Sequence, residues 1–147
     1  MKPSRGSKQF LHKHSLSLAA LSVVVILIAL YCGSNPATHI GSFFGNAIAD
    51  WTGVLVTVVM TKHLYEKGST ESKKPKGKVQ SAVVELLRAH SLTLFLLITG
   101  IAWVVAFWAM DPGSKWGQVV GNIVSEWTQI LGLVLMTKRL MEIGSKT

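Results

Sequence analysis

Four long stretches of the chain are apolar almost without interruption, and the charged residues collect between and outside them. The apolar segments run Ser15–Cys32, Phe43–Leu64, Ser91–Met110 and Gln118–Leu140. A helix needs about 20 mostly apolar residues to cross the hydrocarbon core of a bilayer. It also bonds its own backbone polar groups where no water can reach them. Segments of this length flanked by Lys and Arg predict four transmembrane helices. The first has the basic start and apolar middle of a signal peptide. Its gapless counterpart at Ser91–Met110 lies mid-chain, however, and Tyr31 stands where a lipoprotein cleavage site needs a small residue. The first segment is therefore read as a retained helix.

The pattern repeats at an offset of 76 residues. His14-Ser-Leu-Ser-Leu18 falls on His90-Ser-Leu-Thr-Leu94, Pro36 on Pro112, and Gly45-Asn46 on Gly121-Asn122. Trp51-Thr52 falls on Trp127-Thr128, Met60-Thr-Lys62 on Met136-Thr-Lys138, and Gly68-Ser69 on Gly144-Ser145. About one position in three is identical between Gln9–Ser69 and Glu85–Ser145, without a gap. Each copy holds two apolar segments, so the copies are expected to be parallel hairpins related by an axis along the membrane normal. The expected organisation is a basic tail at 1–14, hairpin repeat 1 at 15–68, a basic linker at 69–84 and hairpin repeat 2 at 85–147.

Charge sets the orientation. Four Lys and Arg lie in the N-terminal tail, seven from Lys62 to Arg88, and three at the C-terminal end (Lys138, Arg139 and Lys146). The two short hairpin loops, near Asn35–Ile40 and Asp111–Trp116, together hold only Lys115. Positive residues stay inside, which predicts cytoplasmic termini and a cytoplasmic linker whose lysines can meet anionic headgroups.

Composition narrows the class further. Hydrophobic residues make up 49% and charged residues 15%, against about 25% charge in soluble domains. The net charge of +8 does not indicate nucleic acid. No charged residue lies between Lys13 and Asp50 or between Arg88 and Asp111, so the basic groups form membrane flanks rather than a phosphate-binding face. A single cysteine, Cys32, excludes an intramolecular disulfide and a thiolate metal cluster within one chain. No nucleophile with its base, phosphate-binding glycine loop or zinc pattern is present, so neither an enzymatic activity nor a cofactor is expected. His14 and His90 read as interfacial residues at helix ends.

The second segment of each copy carries two stripes. Gly41, Gly45 and Ala49 match Gly117, Gly121 and Ser125, each spaced by four, the small-xxx-small spacing that lets transmembrane helices pack closely. Asn46, Asp50, Thr57 and Thr61 share another helical face, matched by Asn122, Glu126 and Thr137. Three readings of the acids stand side by side. In the first, the helix starts near Ala49, and Asp50 and Glu126 sit at the water boundary, at a helix N-terminus that favours negative charge. In the second, Asn and acid hydrogen-bond across helices and lock the hairpins or a dimer together. In the third, Asp50 and Glu126 face each other across a pseudo-twofold axis beside Asn46 and Asn122, as hard oxygen ligands for a cation or as a proton relay.

The segment Leu64-Tyr-Glu-Lys-Gly-Ser-Thr-Glu-Ser-Lys73 resembles the repeat end in an uncharacterised family of small duplicated bacterial integral membrane proteins. That family joins an aromatic-flanked acid, typically Ser-Glu-Phe, to a downstream Gly-Ser. Here Ser125-Glu126-Trp127 with Gly144-Ser145, and Ala49-Asp50-Trp51 with Gly68-Ser69, keep that spacing over most of both repeats. Trp replaces Phe in both, and Asp50 replaces Glu in the first. The resemblance implies a bacterial inner-membrane location and supplies no activity. A weaker likeness, from Trp103 through Pro112 and Trp116 to Asn122, is to the low-affinity iron permease family; no iron-binding residue carries over.

The sequence thus predicts an all-α membrane protein, four transmembrane helices in two tandem parallel hairpins, with the lipid bilayer as its partner. Two functions follow. One is a non-enzymatic structural or accessory membrane protein. The other is a small cation channel or permease using Asp50 and Glu126, assembled as a homo-oligomer because four helices rarely enclose a pore alone. The identity of any metal stays open.

Overall fold

The computed structural model describes residues 9–10, 12–74, 81–138 and 140. Most of the basic N-terminal tail, the proline- and glycine-bearing centre of the linker and the second Gly144-Ser145 lie outside the described residues. Five helices are described: α1 (Ser15–Gly33), α2 (His39–His63), α3 (Ala82–Ala89), α4 (Ser91–Ala109) and α5 (Lys115–Met136). All but α3 are long and apolar enough to cross a membrane. Among the described residues the only β pairing is a single bridge between Glu66 and His90.

The boundaries follow from caps. Thr38 Oγ1 accepts the Gly41 N–H at 3.1 Å and Ser114 Oγ accepts the Gly117 N–H at 3.0 Å, satisfying amides that would otherwise lack partners in the first helical turn. The loops are built alike. Asn35 Oδ1 accepts the Ala37 N–H and Asp111 Oδ1 accepts the Gly113 N–H, while the Thr38 and Ser114 hydroxyls donate back to the Asn35 and Asp111 carbonyls. At Gly41 and Gly117 an added Cβ would drive into those same two carbonyls. Only glycine lets the loop lie so close to the helix.

Because the caps start α2 at His39 and α5 at Lys115, the acids are not at a helix N-terminus. The reading in which the helix begins near Ala49 is thereby overturned. Asp50 and Glu126 each lie 11 residues past the helix start, about 17 Å along the axis.

Packing is linear. α1 packs on α2, α2 on α5, and α5 on α4, so the second helix of each hairpin is central and the first is flanking. The core comprises Tyr31, Ile48, Ala49, Leu92, Leu96, Val119, Ile123, Trp127 and Val134. The flanking helices expose Val25, Ile26, Ile98, Ile101 and Val105, as helices surrounded by lipid would. The hairpins differ at the matched tryptophans. Trp127 is 5% exposed and donates from Nε1 to Thr99 Oγ1 at 2.8 Å, with Trp103 edge-on to its ring. Trp51 is 39% exposed, since the positions matching Thr99 and Trp103 hold Val23 and Leu27, which offer neither an acceptor nor a second ring.

Candidate functional site

The polar residues within the spans converge where α2 crosses α5. Asn122 Nδ2 donates to Asn46 Oδ1 at 2.5 Å, and the two residues are 76 apart. One helical turn further along, Asp50 and Glu126 are near enough for their charges to interact. The Glu126 side chain lies against Gly53, where an added Cβ would clash with its carboxylate. All four candidate polar residues, Asn46, Asp50, Asn122 and Glu126, therefore gather at this one crossing. Asp50 is exposed and Glu126 half-buried. Thr57 and Thr61 share the α2 face, but the Thr61 hydroxyl donates to the Thr57 carbonyl within its own helix.

The first two glycines of each small-residue stripe face their own hairpin. Gly45 lies under the Tyr31 ring and Gly121 under the Phe107 ring, the matched position of the second copy. Gly41 and Gly117 admit the loop backbone, Ala49 is buried, and Ser125 is exposed. Gly53, one step beyond Ala49 in the same stripe, was not singled out from the sequence. Its matched residue is Gln129, so the repeat gave no reason to pick it.

At the hairpin-loop end, Tyr31 joins the two hairpins. It is 1% exposed, its hydroxyl donates to the Lys115 carbonyl at 2.6 Å, and its ring meets Trp116 edge-on. Lys115 Nζ returns to the Cys32 and Ser34 carbonyls, at 3.1 and 2.7 Å. The one loop cation thus caps the C-terminal end of α1, where carbonyls lack helical partners.

The opposite, basic end holds a cluster that sequence reasoning missed. Glu66 has 0% exposure. Lys138 Nζ donates to its Oε1 at 2.5 Å, His90 Nδ1 lies 2.6 Å from the same oxygen, and the Thr93 N–H donates to Oε2 at 3.2 Å. The backbone around it pairs with the start of α4: Lys67 N–H donates to the Ala89 carbonyl and Leu92 N–H to the Tyr65 carbonyl. Gly68 turns the chain at φ 88°, a left-handed conformation that glycine adopts without strain. Ser69 and Thr137 then share a hydroxyl bond at 2.9 Å. Burial pushes the Glu66 carboxyl up, but bonds from Lys138, Thr93 and His90 hold it below its ordinary value. A signal was available: Glu66 recurs as Glu142, as His14 recurs at His90 and Lys62 at Lys138.

Among the described residues, no group of three or more His, Cys, Asp or Glu side chains is placed to hold a metal ion. No family model matches the chain, and no curated protein or solved structure matches it.

Proposed function

We propose that the chain is a non-enzymatic, structural or accessory protein of a bacterial inner membrane. It consists of two tandem hairpin repeats about a pseudo-twofold axis, with both termini cytoplasmic. The hydrogen bond between Asn46 and Asn122 carries this reading. Matched positions of two copies meet at a symmetric, self-complementary contact, the kind a twofold axis produces. The polar groups between the copies then serve attachment: the paired amides mid-span, the Tyr31 and Lys115 bonds at one end and the Glu66 cluster at the other. The likeness of Leu64–Lys73 to the repeat ends of the duplicated membrane family supports the same class and location.

One observation favours a second reading, a small cation channel or permease assembled as an oligomer. Asp50 and Glu126 lie mid-helix within range of each other's charge, where an ionised group costs about 2.5–3.5 kcal/mol on insertion scales. A cation would offset that cost. Flux through proteoliposomes of the purified protein, screening K⁺, Na⁺, H⁺ and Fe²⁺, separates the two. The structural reading expects no protein-dependent flux and none lost in Asp50→Asn with Glu126→Gln. Flux that vanishes in that folded double variant would replace it with the transport reading.

A further inference from the structure

At the basic end of the first hairpin a cluster of cations meets an apolar groove. His14 caps the start of α1, and Lys62 lies in the last turn of α2. Lys62 Nζ lies 3.3 Å from His14 Nδ1, though 48 residues separate them in the chain. An ammonium group only donates, so the ring accepts at Nδ1 and carries its proton on Nε2. The pair therefore keeps N–H donors on Nε2 and on Nζ and offers no further acceptor. Desolvation, followed by the charges of Lys62, Lys13 and His63, holds His14 below its ordinary pKa range. An anion among these groups would relieve that push. Among the described residues no carboxylate is paired with either His14 or Lys62.

Inward of this cluster, α1 and α2 leave a groove of about 380 Å³ between them. Ser17, Leu18 and Leu21 line it from α1 and Leu55, Val59 and Met60 from α2, with His14 at its basic end. From His14 to Leu21 is about 10 Å along the helix axis. That is most of the depth of one leaflet of a hydrocarbon core about 30 Å thick. The second hairpin differs at the same place. Its matched pair, His90 and Lys138, engages Glu66, and the groove between α4 and α5 has no charged side chain in its lining.

We infer that the groove between α1 and α2 binds one anionic phospholipid, with an acyl chain along the groove and the headgroup phosphate accepting hydrogen bonds from Lys62 and His14. Basic groups at the membrane surface beside transmembrane helices suit anionic headgroups, and donors without acceptors suit phosphate oxygens. A free phosphate would leave the apolar lining without a partner. A second copy of the chain would bring the same cations to the same place and be repelled. The inference goes beyond the proposed function and holds whether the chain is structural or a transporter.

The test uses the full chain in neutral detergent and native mass spectrometry, with phosphatidylglycerol and phosphatidylcholine of identical acyl chains. Wild type is expected to keep one phosphatidylglycerol per chain with about tenfold preference, the scale of one hydrogen bond to a charged group. His14→Gln with Lys62→Gln should abolish the preference. Lys67→Gln with Lys74→Gln, which removes two cations away from the groove, should keep it. Ser17→Trp, which fills the groove, should lower retention of both lipids, and circular dichroism checks that each variant is folded. Equal retention of the two lipids by wild type, or a preference that survives in the His14 and Lys62 variant, would overturn the inference. So would an equal loss in the Lys67 and Lys74 variant, the mark of charge attraction without a site. Glycerol 3-phosphate at the lipid's concentration should not displace it; displacement would assign the cations to a free phosphate instead. For location, phosphatidylglycerol with a diazirine in its acyl chain, added at one per chain, should on illumination insert into Ser17–Leu21 or Leu55–Met60. Insertion confined to α4 and α5 would overturn the inference.

Discussion

At the scale of single residues, the sharpest constraints are steric and electrostatic. Gly41→Ala and Gly117→Ala place a methyl group into a backbone carbonyl that the loop cannot withdraw without losing its cap. Each is expected to cost about 1–3 kcal/mol, as overpacking does. Gly45→Ala meets only the Tyr31 ring at 3.3 Å and should cost less; unfolding in mixed micelles followed by circular dichroism compares them. Glu66 governs acid sensitivity. Its folded pKa lies below the ordinary 4.5, so its stabilising contribution is complete above about pH 4.5 and is lost as pH falls through the folded value. Glu66→Ala leaves Lys138 and His90 without their carboxylate and should cost about 3 kcal/mol at neutral pH. It should also flatten the decline in melting temperature below pH 4.5, measured over a series of acidic buffers. The sequence marked Gly41 and Gly117 as packing residues because their spacing is periodic. It did not mark Glu66, because a lone acid among lysines reads as solvated until three distant segments surround it.

At the scale of elements, hydropathy revealed all four spans, and their first-helix boundaries agree with the structure to within a residue. The second helices begin earlier than hydropathy alone suggests, since capping by Thr38 and Ser114 is a hydrogen-bonding signal carried by polar residues. The short α3 was not anticipated. It exposes Val83, Val84, Leu86 and Leu87 in only eight residues, too few for a periodic pattern to stand out. Which faces pair was legible only in part: the polar stripe pointed to the α2–α5 crossing, but no periodicity says that α1 and α4 lie on the outside. The crossing itself makes a quantitative prediction. An interhelical hydrogen bond in a membrane is worth about 0.6 kcal/mol on average and up to about 1.7. Asn46→Ala and Asn122→Ala should each lower stability by that order, and the double variant should lose little more than either one. A double-mutant cycle measured by denaturant unfolding checks this; additive losses would mean that the two amides act independently.

At the scale of the whole molecule, the distribution of positive charge and the loop-end position of Cys32 predict a single orientation. In intact cells, a membrane-impermeant maleimide applied outside the inner membrane should label Cys32, which is exposed beside the Tyr31 and Lys115 junction. In a Cys32→Ser background, a cysteine replacing Lys73, in the connection between hairpins, should react only after the membrane is opened. The reverse labelling pattern would invert the topology. The broad apolar exterior of α1 and α4 fits a protein whose solvent on those faces is lipid, where helix association depends on packing and hydrogen bonds rather than on expulsion of water. That is why so much of the attachment between hairpins is polar.

The Glu66 cluster also imposes an order of events. Its carboxylate is made with the first hairpin, His90 arrives with the start of α4, and Lys138 arrives only after α5, the last of the four spans. During synthesis, when structure forms from the N-terminus onward, the Glu66 carboxylate therefore meets His90 and the Thr93 N–H before it meets Lys138. The last bond to the buried Glu66 is thus made only when the end of α5 returns beside the first hairpin, so the contact that fastens the two hairpins closes last.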